Sequence, residues 1–425
     1  MITISSLKIR FLGGSKEVGR SAVAVKSEKR QILMDYGVII DKDQPGFPMH
    51  VPPREVDAIF LTHAHLDHCG AMPIFFIRGL IPVYGASVSF ELAHILISDL
   101  IHLTGYFLPF EYLDLQSMMD HCVDTEYGKP IQVGDMSVQL VSGGHLPGSS
   151  QILVEASGKR VLYTSDLNTV PTRLLNPADL SYRDLDAIII ESTYADEDHP
   201  DRNTLEEEFV GKVTEVVERG GTALVPAFSV GRSQEILCVL AAHHFEYPVS
   251  LDGMARETSE ILLRHPTYLS DPKLMGDALR MAGMVRGWSD RRRVAGRPGV
   301  IVSPAGMLRG GPAAFYAQEV ARNPLNAIYL VSYQIPGTPG SELLERKRFI
   351  INGKAREVKA EVERFDFSSH CGKRELQEII QRLNSRTKVF VMHGAEENCQ
   401  LLVDWARKEA GMDAVAPNPG DEFEV

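Results

Sequence analysis

The stretch "DAIFLTHAHLDHCG", residues 57–70, decides how this sequence is interpreted. Its first half is a short apolar run that predicts a buried β-strand. Its second half places three histidines and an aspartate within positions 63–68. Neutral imidazoles and carboxylates are ligands that suit Zn²⁺ and similar ions. We therefore interpret this turn as one half of a metal site, with the remaining ligands elsewhere in the chain.

Length, charge and cysteine usage limit what the rest of the chain can be. Its 425 residues are enough for two to three domains of ordinary size. The net charge of −12 argues against a protein that coats nucleic acid generally, so an anionic substrate needs a locally positive site. Five cysteines without zinc-knuckle spacing suit a reducing compartment. Without a signal-peptide pattern or a bilayer-length apolar run, we expect a cytoplasmic protein that does not enter a membrane.

The order of predicted elements indicates an α/β chain with an inserted domain. The first part is rich in short strands such as "LKIRFLGG" (7–14) and "RQILMDYG" (30–37). Helices are predicted between some of its strands, and "GAMPIFFIRG" (70–79), after the histidine cluster, is one of them. From residue 197, helices alternate with strands and glycine-containing loops, which predicts a parallel sheet. The last part, from residue 355, returns to strands with polar residues at their ends.

Ligand-type residues also follow or end other apolar runs. They are Asp35, His145, Asp166, Glu191, His370 in "FDFSSH" and His393. In layered α/β folds, binding sites collect at the edge where strands end. A single histidine after a strand is more often structural, so the argument depends on the cluster at 63–68. Its spacing puts His63 and His65 on one side of a turn and Asp67 and His68 further round, which leaves room for two ions.

Taken together, these motifs resemble the metallo-β-lactamase superfamily. The cluster at 62–68 carries that resemblance, together with the isolated Asp and His residues. The motifs that resemble its β-CASP branch, the nucleases of RNA processing, are "ESTY" (191–194), "FSSHCG" (367–372) and "VMHGAEE" (391–397). The resemblance covers nearly the whole chain. It is closest to archaeal homologues of the endonuclease subunit of the cleavage and polyadenylation specificity factor, and next to ribonuclease J.

The resemblance implies a fold and its division along the chain. Residues 1–196 and 367–425 would form a metallo-β-lactamase αββα sandwich, and residues 197–366 an inserted α/β β-CASP domain. It also implies two Zn²⁺ per chain. The residues implied for the first zinc are His63, His65, His145 and Asp166, and those for the second are Asp67, His68, Asp166 and His393. Asp166 would bridge both ions.

Three further residues receive catalytic roles from the same resemblance. Asp35 would orient the cluster from behind, while Glu191 and His370 would pair beside the leaving oxygen. Two zincs against two carboxylates leave a charge of about +2, which attracts phosphate. A hydroxide bridging the zincs would attack phosphorus, leaving 5′-phosphate and 3′-hydroxyl ends.

The expected function is hydrolysis of single-stranded RNA, with endonuclease activity favoured. A 5′-to-3′ exoribonuclease of ribonuclease J type is the alternative. A DNA-processing β-CASP nuclease is less favoured. By the same resemblance, the corresponding motif of that group has a valine where this chain has His393. The later motifs argue against a thioesterase or lactonase. Because every ligand position is filled, a subunit without enzymatic activity is also disfavoured.

The inserted domain has its own candidates for RNA contact. Ser229 and Arg232 lie in the loop of "PAFSVGRSQEIL" (226–237), which opens a helix and suits phosphate, although a simple βα turn explains it too. Thr338 lies in a glycine-rich stretch that is either a close-approach loop or an ordinary turn. The arginine-rich segment 286–297 is either a solvated surface or an RNA-facing rim. A homodimer and further RNA-processing subunits stay open as partners.

Overall fold

The computed structural model describes residues 6–41, 44–104, 107–335, 337–351 and 353–425. The chain divides into two compact units. The first unit contains Met1–Pro171, Pro177–Asp198 and Ser369–Val425, and the second contains Thr172–Asn176 and His199–Ser368. Among the helices so described, none is both long and apolar enough to cross a membrane.

The first unit begins with thirteen strands and three helices in its described N-terminal part. The strands are β1 Lys8–Gly13, β2 Ala22–Lys26, β3 Gln31–Met34, β4 Ile39–Asp41, β5 Gln44–Gly46, β6 Ala58–Phe60, β7 Val83–Gly85, β8 Cys122–Asp124, β9 Pro130–Val133, β10 Met136–Ser142, β11 Ser150–Ala156, β12 Lys159–Tyr163 and β13 Ala187–Glu191. The helices are α1 Leu66–Cys69, α2 Ser87–Thr104 and α3 Tyr112–Asp120. The strands predicted around residues 7–14 and 30–37 are confirmed.

The second unit alternates helices and strands. In chain order they are α4 Arg202–Glu218, β14 Thr222–Pro226, α5 Arg232–Ala242, β15 Val249–Leu251, α6 Ala255–Arg264, α7 Pro272–Met281, β16 Ala282–Met284, α8 Trp288–Ala295, β17 Gly299–Ser303, α9 Gly311–Val320, β18 Ala327–Leu330, α10 Pro339–Arg346, β19 Arg348–Ile351, β20 Lys354–Glu357 and β21 Glu361–Arg364. Six strands form one sheet in the order β16-β15-β17-β14-β18-β21, and every pairing in it is parallel.

The C-terminal segment returns to the first unit and completes its sheets. It adds α11 Lys373–Gln381, β22 Lys388–Met392, α12 Glu396–Lys408, β23 Asp413–Val415 and β24 Glu422–Glu424. Over the described residues, one sheet has the order β24-β1-β2-β3-β6-β7-β8, and the other has the order β23-β22-β13-β12-β11-β10-β9.

The two sheets of the first unit pack face to face around one apolar core. Phe11 and Phe60 come from the first sheet, and Ile152 and Phe390 come from the second. The outer face of the second sheet, which includes Ile188, is covered by α11 and α12. Alternate residues of each strand point to opposite faces, so a sheet covered on both sides needs the apolar runs seen in the sequence. The predicted fold class, an α/β sandwich with an inserted α/β domain, is confirmed.

Strand direction brings several strand ends to common edges. In the first sheet β3 and β6 are parallel. In the second sheet β10, β12, β13 and β22 run in one direction, because β10 and β12 are both antiparallel to β11, and β12, β13 and β22 are parallel to one another. In each sheet, we call the edge where the parallel strands end its carboxyl edge.

Two predictions of secondary structure are wrong, one about a helix and one about the end of a strand. The helix predicted over residues 70–79 contains only a 3₁₀ turn, Met72–Phe76, in which the Ile74 N–H donates to the Ala71 carbonyl. This bond spans three residues instead of four, which is the 3₁₀ pattern and not the α-helical one. The strand predicted to end at His370 stops at Arg364. The aromatic residues that follow pack on Phe209 in the core of the second unit. The Phe365 N–H still donates to the Leu330 carbonyl, but the Phe367 N–H donates to the Phe365 carbonyl, so the backbone turns there.

Candidate metal centre

The histidine-rich turn is docked on the segment that follows β3. Backbone N–H groups of Tyr36 and Val38 donate to the carbonyls of His68 and Leu66, at 2.8 and 2.9 Å. Between them lies Gly37, where an added Cβ would be 1.8 Å from the Asp67 carbonyl oxygen. Only glycine permits this approach. The turn is therefore held by backbone contacts, and its side chains remain available for other partners.

The candidate ligand atoms form two groups that the fold brings together. The first donor group consists of His63, His65, His145 and Asp166, and the second of Asp67, His68 and His393. Within each group, one ligand atom from every residue lies within 4.8 Å of the others. All seven side chains belong to the first unit. The structure thus brings together the residues that the resemblance implies for each zinc.

The carboxylate of Asp166 spans the two donor groups. Its Oδ2 lies 3.5 Å from His63 Nε2 and 3.6 Å from His145 Nε2. Its Oδ1 lies 3.4 Å from His68 Nε2 and 3.1 Å from His393 Nδ1. One oxygen therefore faces each group, which is the arrangement that a bridging ligand requires.

Hydrogen bonding in the donor groups leaves buried atoms that a cation could satisfy. His63 Nε2 in the first group makes no hydrogen bond, and neither does Asp166 Oδ1, the oxygen that faces the second group. The Nδ1–H of His145 donates to the Ser369 carbonyl at 2.8 Å, so its Nε2 presents a lone pair to His65 Nδ1 at 3.2 Å. Ligands on a tetrahedral ion with bonds of about 2.0–2.1 Å lie about 3.3 Å apart. The donor set therefore fits a divalent metal ion.

The pKa shifts of the histidines in the donor groups also favour a bound cation. Burial lowers the pKa of His65 to about 4 and holds those of the other two histidines in its group well below the ordinary range. These are neutral imidazoles, the form that binds metal. Burial also opposes protonation of His68 and His393, but the surrounding carboxylates, Asp166 first among them, raise their pKa overall. A cation would neutralise the same excess of negative charge.

Asp35 fixes the orientation of His68 from behind. Its Oδ2 accepts the Nδ1–H of His68 at 2.7 Å and the hydroxyl of Tyr163 at 3.1 Å. Its Oδ1 accepts the backbone N–H of Thr62 at 2.9 Å. Because Nδ1 of His68 is occupied in this way, Nε2 is directed at the second donor group. A carboxylate behind a ligating histidine commonly sets its tautomer and ring orientation.

The buried Glu191 pairs with the half-buried His370 beside the donor groups. His370 Nδ1 lies 2.9 and 3.0 Å from the two oxygens of Glu191, and Glu191 also accepts the Leu167 N–H at 2.8 Å. Burial disfavours the charged imidazolium, but Glu191 and then Asp166 outweigh it and raise the pKa of His370 to about 9. Its Nε2 lies 4.0 Å from Asp166 Oδ2. The site thus contains a histidine that holds a proton next to the donor groups.

The loop that carries Ser229 and Arg232 lies in the second unit, after β14. Arg232 is buried at the start of α5, and Ser229 is half-buried. The backbone N–H of Arg232 donates to Val230, and that of Ser233 donates to Phe228. Those two N–H groups are satisfied within the loop and do not point to a phosphate contact.

Thr338 is fully buried and its hydroxyl has local partners. It donates to the Ile335 carbonyl at 2.8 Å and accepts the Ser341 N–H at 3.3 Å, which caps α10. This arrangement supports the interpretation as an ordinary turn. Thr338 therefore has no part in the function proposed below.

Several groups that orient the ligands did not stand out in the sequence. They are Thr62 and Tyr163 on Asp35, the carbonyl of Ser369 on His145, and the hydroxyl of Thr193, which lies 3.3 Å from His393 Nδ1. Thr62 directly precedes the histidine cluster, and Thr193 follows Glu191 by two positions, so position in a motif was the available signal. A backbone carbonyl has no signal in the sequence.

Three family models match the chain in succession. The metallo-beta-lactamase superfamily matches residues 18–210, the Beta-Casp domain matches 233–343, and the Zn-dependent metallo-hydrolase RNA specificity domain matches 356–417. A crystal structure of a protein of unknown function from Enterococcus faecalis V583 has the same fold. Its TM-score is 0.64 at 15% identity, and the match covers 99% of this chain and all of that chain.

Relatives of known name align along nearly the full chain. RNase aCSPSF2 of Saccharolobus solfataricus is 41% identical over 420 residues, which is 98% of this chain and 85% of that relative. Probable RNase MJ4 of Methanocaldococcus jannaschii is 36% identical over 430 residues, covering 99% and 100%. The transcription termination factor FttA of the same organism is 32% identical over 440 residues, covering 95% and 69%.

These matches and the donor groups define a metal-dependent hydrolase. The chain belongs to the β-CASP ribonuclease branch of the metallo-β-lactamase superfamily.

Replacing Asp166 with alanine should lower divalent-metal content at both donor groups, because each group loses one oxygen. His393→Ala should lower it chiefly at the second group. Elemental analysis of the purified variants measures both effects, with Asp120→Ala, an exposed aspartate at the end of α3, as the control. Full metal content in Asp166→Ala would show that its carboxylate does not bridge.

Proposed function

We propose that this chain is a zinc-dependent ribonuclease that cuts single-stranded RNA internally and leaves 5′-phosphate and 3′-hydroxyl ends. The observation that carries the proposal is the pair of donor groups sharing Asp166, with a protonated His370 next to them. Phosphodiester hydrolysis needs positive charge on the phosphoryl oxygens, an activated water and a proton for the leaving oxygen. Metal ions held by the donor groups would supply the first two, and His370 would supply the proton.

The seven ligands would hold two zinc ions, His63, His65 and His145 on one side of Asp166 and the second donor group on the other. Bound zinc supplies positive charge to the phosphate and lowers the pKa of water. The remaining steps belong to the chain. Asp35 keeps His68 oriented, and Glu191 keeps the Nδ1 of His370 occupied. When the bond from phosphorus to the 3′-oxygen breaks, the Nε2–H of His370 donates its proton to that oxygen.

RNA is favoured as the substrate by three observations. The RNA specificity domain matches residues 356–417, and the relatives with the two highest identities given above are named as RNases. His393 is also part of the second donor group. The family resemblance gives the DNA-processing enzymes a valine at that position of the motif. Ser229 and Arg232 are proposed to contact a phosphate of the same strand away from the cut.

Internal cutting is favoured over digestion from an end by overall similarity. The chain is 41% identical to RNase aCSPSF2, but 30% identical over 398 residues to an RNase J-like protein of Methanocaldococcus jannaschii. Cleavage from a 5′ end therefore remains the second candidate function. An RNA without ends separates the two.

His370→Ala should keep its metal and its RNA affinity but lose most of its turnover, by about 10²- to 10⁴-fold, since its role is proton donation. Single-turnover cleavage, elemental analysis and an RNA-binding titration measure the three quantities. His102→Ala, which removes an exposed histidine on α2, is the matched control and should behave as wild type. Loss of metal in His370→Ala would make His370 a ligand instead.

A circular single-stranded RNA should be opened by the zinc-loaded chain, because internal cutting needs no terminus. Gel mobility distinguishes the circle from its linear product. A linear RNA of the same sequence with a 5′-monophosphate is the control for activity. If the linear RNA is degraded from its 5′ end while the circle stays intact, the chain is a 5′-to-3′ exoribonuclease.

A further inference from the structure

The arginine-rich segment 286–297 forms α8 and the turn before it, in the second unit. None of the side chains in α8 is buried, and Trp288 at its start keeps 57% of its surface exposed. Arg291 and Arg292 follow at three and four positions, which places them beside Trp288 on the helix surface. The segment therefore presents a large aromatic ring among guanidinium groups.

The exposed ring is held in place by a buried network. The Arg291 guanidinium lies 5.0 Å from the Trp288 ring centre, and Phe315 meets that ring at right angles with 5.3 Å between centres. Arg291 in turn donates two hydrogen bonds to the buried Asp252, at 2.7 and 3.1 Å. Asp252 also accepts the Tyr316 hydroxyl at 2.8 Å. An ion pair to a buried carboxylate thus fixes an aromatic side chain whose surface remains largely open, which preorganises the ring for contact.

This network lies at the carboxyl edge of the parallel sheet. Asp252 directly follows β15, and the N–H of Val285, just after β16, donates to the carbonyl of Leu251 at 3.0 Å. Trp288 is three residues further along the chain. In parallel α/β sheets, ligands bind outside this edge. The loop with Ser229 follows β14 at the same edge.

The charge around Trp288 is opposite to that of the chain as a whole. Arg286 and Arg292 are exposed, and neither makes an ion pair with any residue that the structure describes. Asp290, the acidic residue of α8, is paired with Arg293 at 2.7 Å. A patch that combines unpaired arginines with an exposed indole ring, on a chain of net charge −12, matches a polyanion with flat rings, because guanidinium groups meet phosphates and the indole can stack on a base.

We infer that Trp288, flanked by Arg286, Arg291 and Arg292, is a base-stacking platform for single-stranded RNA on the second unit. A base of the RNA stacks on the open side of the indole ring, while the exposed guanidinium groups contact the flanking phosphates. The inference rests on the proposed ribonuclease function, and it adds a binding site that contains no catalytic residue. It assigns the arginine-rich segment to substrate binding.

Two tryptophans in the chain, Trp288 and Trp405, make the test spectroscopic. The full chain carrying His370→Ala, which keeps RNA intact, is titrated with a 15-residue oligoadenylate. Fluorescence should be quenched in the Trp405→Phe variant, where Trp288 is the reporter, and unchanged in Trp288→Phe. Trp288→Ala should weaken binding about 5- to 100-fold, and Trp288→Phe should weaken it less.

Polyphosphate, which has charge but no bases, separates stacking from charge. Trp288→Ala should leave polyphosphate binding unchanged, whereas Arg292→Ala should weaken both ligands and lower the salt slope for RNA by about 0.7. Arg280→Ala is the matched control. Arg280 is an exposed arginine in α7, near the opposite edge of the sheet, and its variant should stay within twofold of the parent.

Unchanged oligoadenylate affinity and no quenching in the tryptophan variants would overturn the platform. If the wild-type chain still cleaves RNA, the proposed function survives that result. If the wild-type chain neither binds nor cleaves RNA, both fail. If Trp288→Ala changes the oligomeric state in light scattering while RNA affinity is unchanged, the face belongs to a second copy of the chain, and the platform is again overturned.

Discussion

The buried carboxylate of Asp166 is the constraint on which the site depends. It lies among four imidazoles, one oxygen toward each donor group, and one of those oxygens makes no hydrogen bond. A buried carboxylate costs several kcal/mol unless positive charge compensates it. Protons on His68 and His393 supply part of that charge, and metal ions would supply it together with partners for the orphan lone pairs. The electrostatics of the site therefore favour metal binding.

The two packed sheets bring the ends of several strands, and the site residues that follow them, close together. Asp35 follows a strand of one sheet, and Asp166 follows a strand of the other. The hydrogen bond from Tyr163 to Asp35 connects the two sheets next to the site. Asp35, Ser165 and His393 adopt left-handed backbone conformations with φ of 60°, 52° and 50°. Such conformations are unfavourable for residues with a side chain and persist where the surroundings enforce them, commonly at functional sites.

Sequence reasoning worked where chemistry is concentrated in a few adjacent positions. The cluster at 63–68 was evident from the close spacing of its ligand-type residues. The apolar runs located the strands that Asp35, Asp166 and His393 follow. It did less well where tertiary contacts decide. Phe365 and Phe367 alternate like strand residues, but they pack on Phe209, so the chain turns before His370. The capping role of Thr338 depends on one hydroxyl orientation, which spacing does not encode. The contact of Arg291 with Asp252 joins residues 39 positions apart, so the sequence alone left the segment 286–297 open between two interpretations.

The central claim is that one carboxylate holds two metal ions. Anomalous X-ray scattering from crystals of the zinc-loaded chain, recorded on both sides of the zinc absorption edge, tests it most directly. Two peaks are predicted, one beside each oxygen of Asp166, with His63, His65 and His145 around one and Asp67, His68 and His393 around the other. A single peak, or two peaks that leave either oxygen of Asp166 without a metal neighbour, would contradict the account.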